Sequence, residues 1–109
     1  MKKPAAAPSI IRIVGKNYCA MFVDSVDSND SNGEHDMQKQ EIKVKNSIHP
    51  ELQRDTLLHE ILHAIDEQLD MRLKHRQVHA LAVAIMQVLR ENDDLVGFLT
   101  ASVKDSGRK

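Results

Sequence analysis

The periodicity of the apolar residues changes once along the chain, between residues 46 and 50. In QEIKVKN (40–46), isoleucine and valine alternate with lysines, which predicts a strand with one buried and one exposed face. From Pro50 to Leu69 the apolar residues recur at helical spacing, and Pro50 and Glu51 are typical of a first helical turn. Because strand-like segments precede this point and helix-like segments follow it, the sequence predicts an α+β fold.

The remaining segments support this division. Four stretches have strand composition and predict two hairpins, IIRIV (10–14) with YCAMFV (18–23) through the turn GKN, and EHDM (34–37) with QEIKVKN (40–46). Helical periodicity predicts helices over 50–69 and about 74–91, and a short last helix within LVGFLTASV. We therefore expect a small antiparallel sheet of about three to four strands packed on two main helices.

The length of 109 residues fits one domain with a modest core. The start of the chain, interrupted by Pro4 and Pro8, predicts a loose leader over residues 1–9. The polar end predicts a frayed tail over 104–109. A single domain is therefore expected over 10–103.

Composition excludes several classes of function. The net charge of −1 and an aromatic content of 3% provide no basic aromatic patch for nucleic acid. No apolar run is long enough to cross a bilayer, and the start does not have the form of a secretion signal. Cys19 is the only cysteine, which excludes a cysteine-based zinc site and suits a reducing compartment. We expect a cytoplasmic protein without nucleic-acid or membrane partners, and its oligomeric state stays open.

Two histidines one turn apart are the most informative residues of the first predicted helix. His59 and His63 lie about 40° apart on a helical wheel, away from the predicted core face of Leu58, Ile61, Leu62, Ile65 and Leu69. Two imidazoles so placed can bind one Zn²⁺ at about 2.0–2.1 Å. Glu60 is displaced around the helix from both, where it can act as general base on a water activated by the metal. Asp66 shares the histidine face and can accept a hydrogen bond from a ligand histidine.

A catalytic zinc needs a third protein ligand, and the second helix offers two candidates. His75 and His79 lie one turn apart, at about 60° and 100° from the centre of the apolar face of that helix. A helical hairpin with a short connection can bring either of them over the first helix, so the choice stays open. His49 is predicted in the turn before the helix. His35 lies in a strand near the polar loop, where it could be a substrate-side or outer-shell group, but an exposed strand position is the favoured interpretation.

The stretches LLHEILHAIDEQL and LKHRQVHALAVAIMQVLREND resemble small metallopeptidase-like proteins of phages and prophages. These proteins have a reduced zincin domain of the ImmA/IrrE and SprT-like kind, and the resemblance covers about residues 10–99. It implies a minimal zincin fold, with His59 and His63 as zinc ligands and Glu60 as catalytic base. In such proteins the second helix often opens with an acidic residue, where this chain has His75. If that position holds the usual third ligand, His75 substitutes for it; if His79 is the ligand, His75 is a neutral change.

These observations predict a zinc-dependent peptidase that acts on a protein or peptide substrate in the cytoplasm, of the host cell if the chain is phage-encoded. An edge strand beside the metal, from 34–37 or 40–46, would pair with an extended substrate. The alternative is a non-catalytic zinc-bound module that binds a phage or host regulator. The small size of the chain favours this non-catalytic module. Glu60 favours the enzyme, because a structural zinc site needs no free glutamate. A helical packing module without metal is a third interpretation, and it predicts that chelators leave folding unchanged.

Overall fold

The computed structural model describes residues 8–27 and 31–102, so most of the predicted leader and all of the predicted tail lie outside the described residues. The chain forms four strands and three helices in the predicted order. They are β1 (Ile10–Ile13), β2 (Lys16–Val23), β3 (Gly33–Asp36), β4 (Glu41–Lys45), α1 (Pro50–Leu69), α2 (His75–Glu91) and α3 (Leu95–Thr100). The prediction of an α+β fold with two main helices is confirmed.

The strands form one mixed sheet in the order β1-β2-β4-β3. Both predicted hairpins are present, because β1 pairs with β2 and β3 pairs with β4 in antiparallel fashion. The two hairpins are joined by β2 and β4, which run parallel, with Ala20 opposite Ile42. We expected an antiparallel sheet, but the parallel pairing of β2 with β4 makes the sheet mixed. Alternation within a strand defines its buried face, but it does not define the direction in which one hairpin docks against another.

The first hairpin turns one residue earlier than the sequence suggested. Val14 and Gly15 form the two-residue turn, with φ angles of 48° and 79°. Two successive positive φ angles match the tight turn that suits the twist of paired strands. Gly15 adopts this conformation without a steric penalty, and its neighbour Val14 follows it although valine disfavours that region.

The core lies between one face of the sheet and helix α1. Tyr18, Ile42 and Val44 are fully buried on that face, and the Tyr18 hydroxyl accepts a hydrogen bond from Gln68 Nε2 at 3.1 Å. The residues of α1 that are buried follow one stripe, Thr56, Glu60 and Ala64, with Leu57, Ile61 and Ile65 packed beside it.

The buried face of α1 is therefore centred on other residues than those predicted. Leu69, one of its predicted members, is 53% exposed, whereas Glu60 is only 7% exposed. The aliphatic residues of α1 span a wide arc of the helix, so their positions alone do not define the centre of the buried face. Small residues at 56 and 64 instead let the helix approach the sheet closely. The approach is close at Gly33, where an added Cβ would lie 2.6 Å from Thr56 Cγ2.

A short turn brings α2 back across α1. Asp70 ends α1 in the left-handed conformation with a φ of 51°, and the Asp66 carboxylate accepts a hydrogen bond from Leu73 N at 3.1 Å. Helix α2 then packs through Val78 and Ala82, which are buried. The other apolar residues on the predicted core face of α2 are more exposed than Val78 and Ala82. No helix in the described part of the chain is both long and apolar enough to cross a membrane.

Candidate metal centre

Helix α1 presents His59 and His63 side by side, as its periodicity predicts. Their Nε2 atoms lie 2.9 Å apart, and their ring centroids are 4.6 Å apart. Both residues are half-buried under the start of α2. At this distance one ring donates a hydrogen bond to the other, and the same two nitrogen atoms converge on one point in space.

The turn after α1 places His75, the first residue of α2, over this pair. The His75 ring centroid lies 5.0 Å from that of His63 and 5.2 Å from that of His59. One nitrogen atom from each of the three rings lies within 4.8 Å of the others. These three histidines form a candidate metal site, and among the described residues they are the one group of this kind.

His79 lies at the edge of this group. Its ring centroid is 5.7 Å from that of His59, and it lines the same groove as His75. Between the two candidates for third ligand, the geometry therefore favours His75.

The donor atoms suit a transition metal that prefers imidazole. Nitrogen atoms at about 2.0–2.1 Å from one tetrahedral ion are about 3.3 Å from each other. The observed separations, from 2.9 Å to at most 4.8 Å, include this value, so small rotations of the rings would meet the geometry. Three neutral imidazoles accept Zn²⁺, and they also accept other first-row divalent ions.

The surroundings of His59 and His63 lower the pKa of both rings and so favour their neutral form. Burial lowers the pKa of His59 below its ordinary value of 6.5, and the neighbouring His63 lowers it further. Burial likewise lowers the pKa of His63, against an opposing effect of Glu60. Both rings are therefore neutral at pH 7, which is the form that binds metal.

Glu60 lies beside the histidines, on the side of the sheet. Its side chain is 9% exposed, and Oε1 lies 3.1 Å from Nδ1 of His35 on strand β3. Glu60 also lines the groove that contains His59 and His75. Glu60 thus has one oxygen atom held by the protein and remains at the border of an open space, as a general base requires.

The prediction that His35 is exposed is wrong. Its side chain is 17% exposed, and its Nε2 lies 2.8 Å from Oε1 of Glu67, about two turns beyond Glu60 on α1. The hydrogen bond to Glu60 raises the pKa of His35, with a further contribution from Glu67 and an opposing one from burial. The signal in the sequence was strand alternation, because His35 lies directly opposite Ile42, a residue predicted to face the core.

Asp66 makes a different contact from the predicted one. Its carboxylate accepts the hydrogen bond from Leu73 N described above, and the structure records no bond from it to a histidine. Its charge raises the pKa of His63, with a smaller effect than burial or Glu60. Asp66 therefore fixes the turn that positions His75, instead of orienting a ligand directly.

A groove of about 710 Å³ extends from the histidines between α1 and α2. Its walls combine aliphatic side chains with the chain at the start of β3, and include Asn32, Gly33, Leu52, Ala82, Val83 and Met86. At its far end Arg90 pairs with Glu51 at 3.2 Å and with Asp55 at 2.9 Å. The groove is large enough for several residues of an extended peptide.

We expect His75→Ala to weaken zinc binding by about 10²–10³-fold, since one of roughly four ligands contributes about 2.5–4 kcal/mol. His79→Ala is the matched control on the same helix, and should weaken binding by less than about tenfold. Zinc titration against a competing chelator measures both affinities. A larger loss in His79→Ala than in His75→Ala would assign the third position to His79.

Zinc affinity should fall as the pH falls below 6.5, the ordinary pKa from which those of His59 and His63 are lowered. Above that pH both rings are neutral and affinity should depend little on their titration; below their pKa values, protons compete with the metal. Two competing protons reduce affinity by up to about 100-fold per pH unit. Calorimetric titrations at several pH values measure this slope, and an affinity that stays constant down to pH 5 would contradict it.

No protein-family model, curated protein or solved structure matches this chain in the comparisons with known proteins.

Proposed function

We propose that this chain is a zinc-dependent metallopeptidase that hydrolyses a peptide bond in a protein or peptide substrate. The observation that carries the proposal is a convergence. His59, His63 and His75 direct nitrogen atoms to one point, and a buried glutamate from the same helix borders the groove beside them. This is the arrangement that the H-E-x-x-H spacing predicts for metal-assisted hydrolysis.

Each side chain has a distinct role in the proposed reaction. Zinc, when bound, polarises the substrate carbonyl and lowers the pKa of a coordinated water to about 7. Glu60 accepts a proton from the attacking water and then donates it to the leaving amine. His59, His63 and His75 would hold the ion through one nitrogen atom each.

The substrate is proposed to bind in extended form along β3. This strand lies at the edge of the sheet, whereas β4 lies between β2 and β3, so residues 40–46 cannot supply the edge. Lys45 N donates to Asn32 O at 2.8 Å, so the alternation of the ladder turns the backbone groups of Gly33 and His35 outward. A peptide could add to this edge while its side chains enter the groove.

A non-catalytic zinc-binding module remains the second candidate, and one observation favours it. His79 is close enough to His59, at 5.7 Å between ring centroids, to become a fourth ligand after a modest movement. Four protein ligands would close the coordination shell and exclude water, as in structural zinc sites. Such a protein would bind a regulator without cutting it.

We further propose that the protein acts in the cytoplasm. The resemblance to phage and prophage proteins supports this setting, and a lone cysteine suits a reducing compartment.

The proposal is tested by two measurements on untagged protein. Metal analysis should find about one zinc per chain in the wild type and little in His59→Ala. The zinc-loaded protein should then cleave members of a peptide library, and a chelator should stop the cleavage. Zinc without cleavage, combined with a site that admits no exogenous ligand, would favour the non-catalytic module. Absence of zinc after reconstitution would overturn both candidates.

A further inference from the structure

We propose that His35 is a positioning residue that fixes the orientation of the Glu60 carboxylate toward the metal centre. The inference rests on the proposed function, and it adds a residue from the sheet to a site otherwise built from α1 and α2. The backbone of His35 belongs to the strand edge proposed for the substrate, whereas its side chain acts on the reaction through Glu60.

The contact between the two side chains is specific. His35 Nδ1 lies 3.1 Å from Glu60 Oε1, in a region where the Glu60 side chain is 9% exposed. A buried carboxylate needs a polar partner, since its charge is otherwise strongly destabilised. A hydrogen bond at Oε1 limits rotation of the carboxylate and leaves Oε2 to take the proton from water.

His35 is itself held from three directions. Its Nε2 lies 2.8 Å from Glu67 Oε1, and its ring stacks on that of His63 with centroids 5.4 Å apart and planes at 6°. It belongs to β3, where it lies directly opposite Ile42 of β4. A group fixed by several neighbours can orient another group with little loss of entropy, which is the usual basis of preorganisation.

Glu67 completes the arrangement from the surface. It is one of the exposed residues of α1, with its side chain 47% exposed, and it holds the nitrogen of His35 that Glu60 does not use. The two glutamates therefore approach opposite nitrogens of one imidazole ring. This fixes the plane of the ring relative to α1, and with it the position of Glu60.

The test compares His35→Leu, which loses both hydrogen bonds, with His35→Asn, whose amide can still donate from the position of Nδ1. We expect the leucine variant to lose about 10–100-fold in kcat, with KM and zinc affinity within about twofold of wild type. The asparagine variant should recover most of that loss. Glu34→Gln, a neighbour on the opposite face of β3, is the matched control and should retain full kcat.

A kcat for His35→Leu close to that of wild type would overturn the inference. An equal loss in the leucine and asparagine variants would also overturn it, since His35 would then only stabilise the fold. Thermal unfolding of each variant shows whether the fold has been retained. If the leucine variant fails to fold, the asparagine variant and Glu67→Gln decide the question, with the latter expected to lose a smaller part of kcat.

A second readout does not depend on activity. In the metal-free protein, the ¹⁵N chemical shifts of the His35 ring should respond selectively, Nδ1 to Glu60→Gln and Nε2 to Glu67→Gln. An Nδ1 shift that ignores Glu60→Gln would overturn the contact. A wild type that binds zinc and shows the expected shifts, yet cleaves no peptide, would instead overturn the proposed hydrolysis and leave the orientation of Glu60 by His35 established.

Discussion

Glu60→Gln should lower kcat by about 10²–10⁴-fold while zinc stays bound, because the amide has nearly the same shape and no basic oxygen. Glu60 is not among the three nitrogen donors, so its replacement leaves the metal ligands intact. The amide oxygen can still accept a hydrogen bond from His35, which preserves the packing of a residue that is 7% exposed. Steady-state kinetics together with metal analysis of the same sample measure the effect.

The control for this variant is Glu51→Gln. Glu51 belongs to the same helix and pairs with Arg90 at the far end of the groove, away from the histidines. An exposed ion pair of this kind contributes at most about 1 kcal/mol, so kcat should stay close to that of wild type. A Glu60→Gln protein with full activity would remove Glu60 from the mechanism.

His63→Ala should lose zinc and the stability that zinc confers. Removing one ligand weakens affinity by about 10²–10³-fold, if a binding free energy of about 10–16 kcal/mol is shared by four ligands. A metal that binds only the folded state raises the free energy of unfolding in proportion to the logarithm of its concentration over Kd. Added zinc should therefore raise Tm in the wild type, and much less in His63→Ala.

His49→Ala is the control for this prediction. His49 Nδ1 accepts a hydrogen bond from Glu51 N at 3.1 Å and caps the start of α1, far along the helix from the metal centre. His49→Ala should cost about 1 kcal/mol of stability through loss of the cap, yet keep its zinc. Unchanged zinc content in His63→Ala would rule out the metal site altogether.

The sequence was most informative where one local rule decides the outcome. Helical geometry alone places His59 beside His63, and the separation of 2.9 Å between their Nε2 atoms agrees. Strand alternation and turn chemistry predicted both hairpins, although the first one turns one residue earlier than expected. These features depend on residues that are close in sequence, so a single chain without relatives is enough to predict them.

The errors concern contacts between elements that are distant in the chain. The buried position of Glu60 depends on the small residue at Gly33, which admits α1 to the sheet. The partnership of His35 with Glu60 depends on the register between β3 and β4 and on the rotation of α1. Neither is encoded by the periodicity of one segment, because aliphatic residues on several sides of α1 permit more than one rotation.

The sequence could not decide between His75 and His79 for a similar reason. Both lie on the same edge of α2, so the wheel could not separate them. The structure favours His75 because the left-handed Asp70 and the Asp66 carboxylate fix a tight turn, which starts α2 directly over His63. A longer connection would have allowed the second helix to slide by one turn.

This tight turn has a consequence for the order in which the site can assemble. The three candidate ligands fall between residues 59 and 75, within one helical hairpin, so bringing them together closes only a short loop and costs little chain entropy. The contact of His35 with Glu60 joins residues 25 positions apart and requires the sheet to be in place. Holding a metal would thus be a property of the hairpin of α1 and α2, whereas orienting the proposed base would be a property of the whole domain.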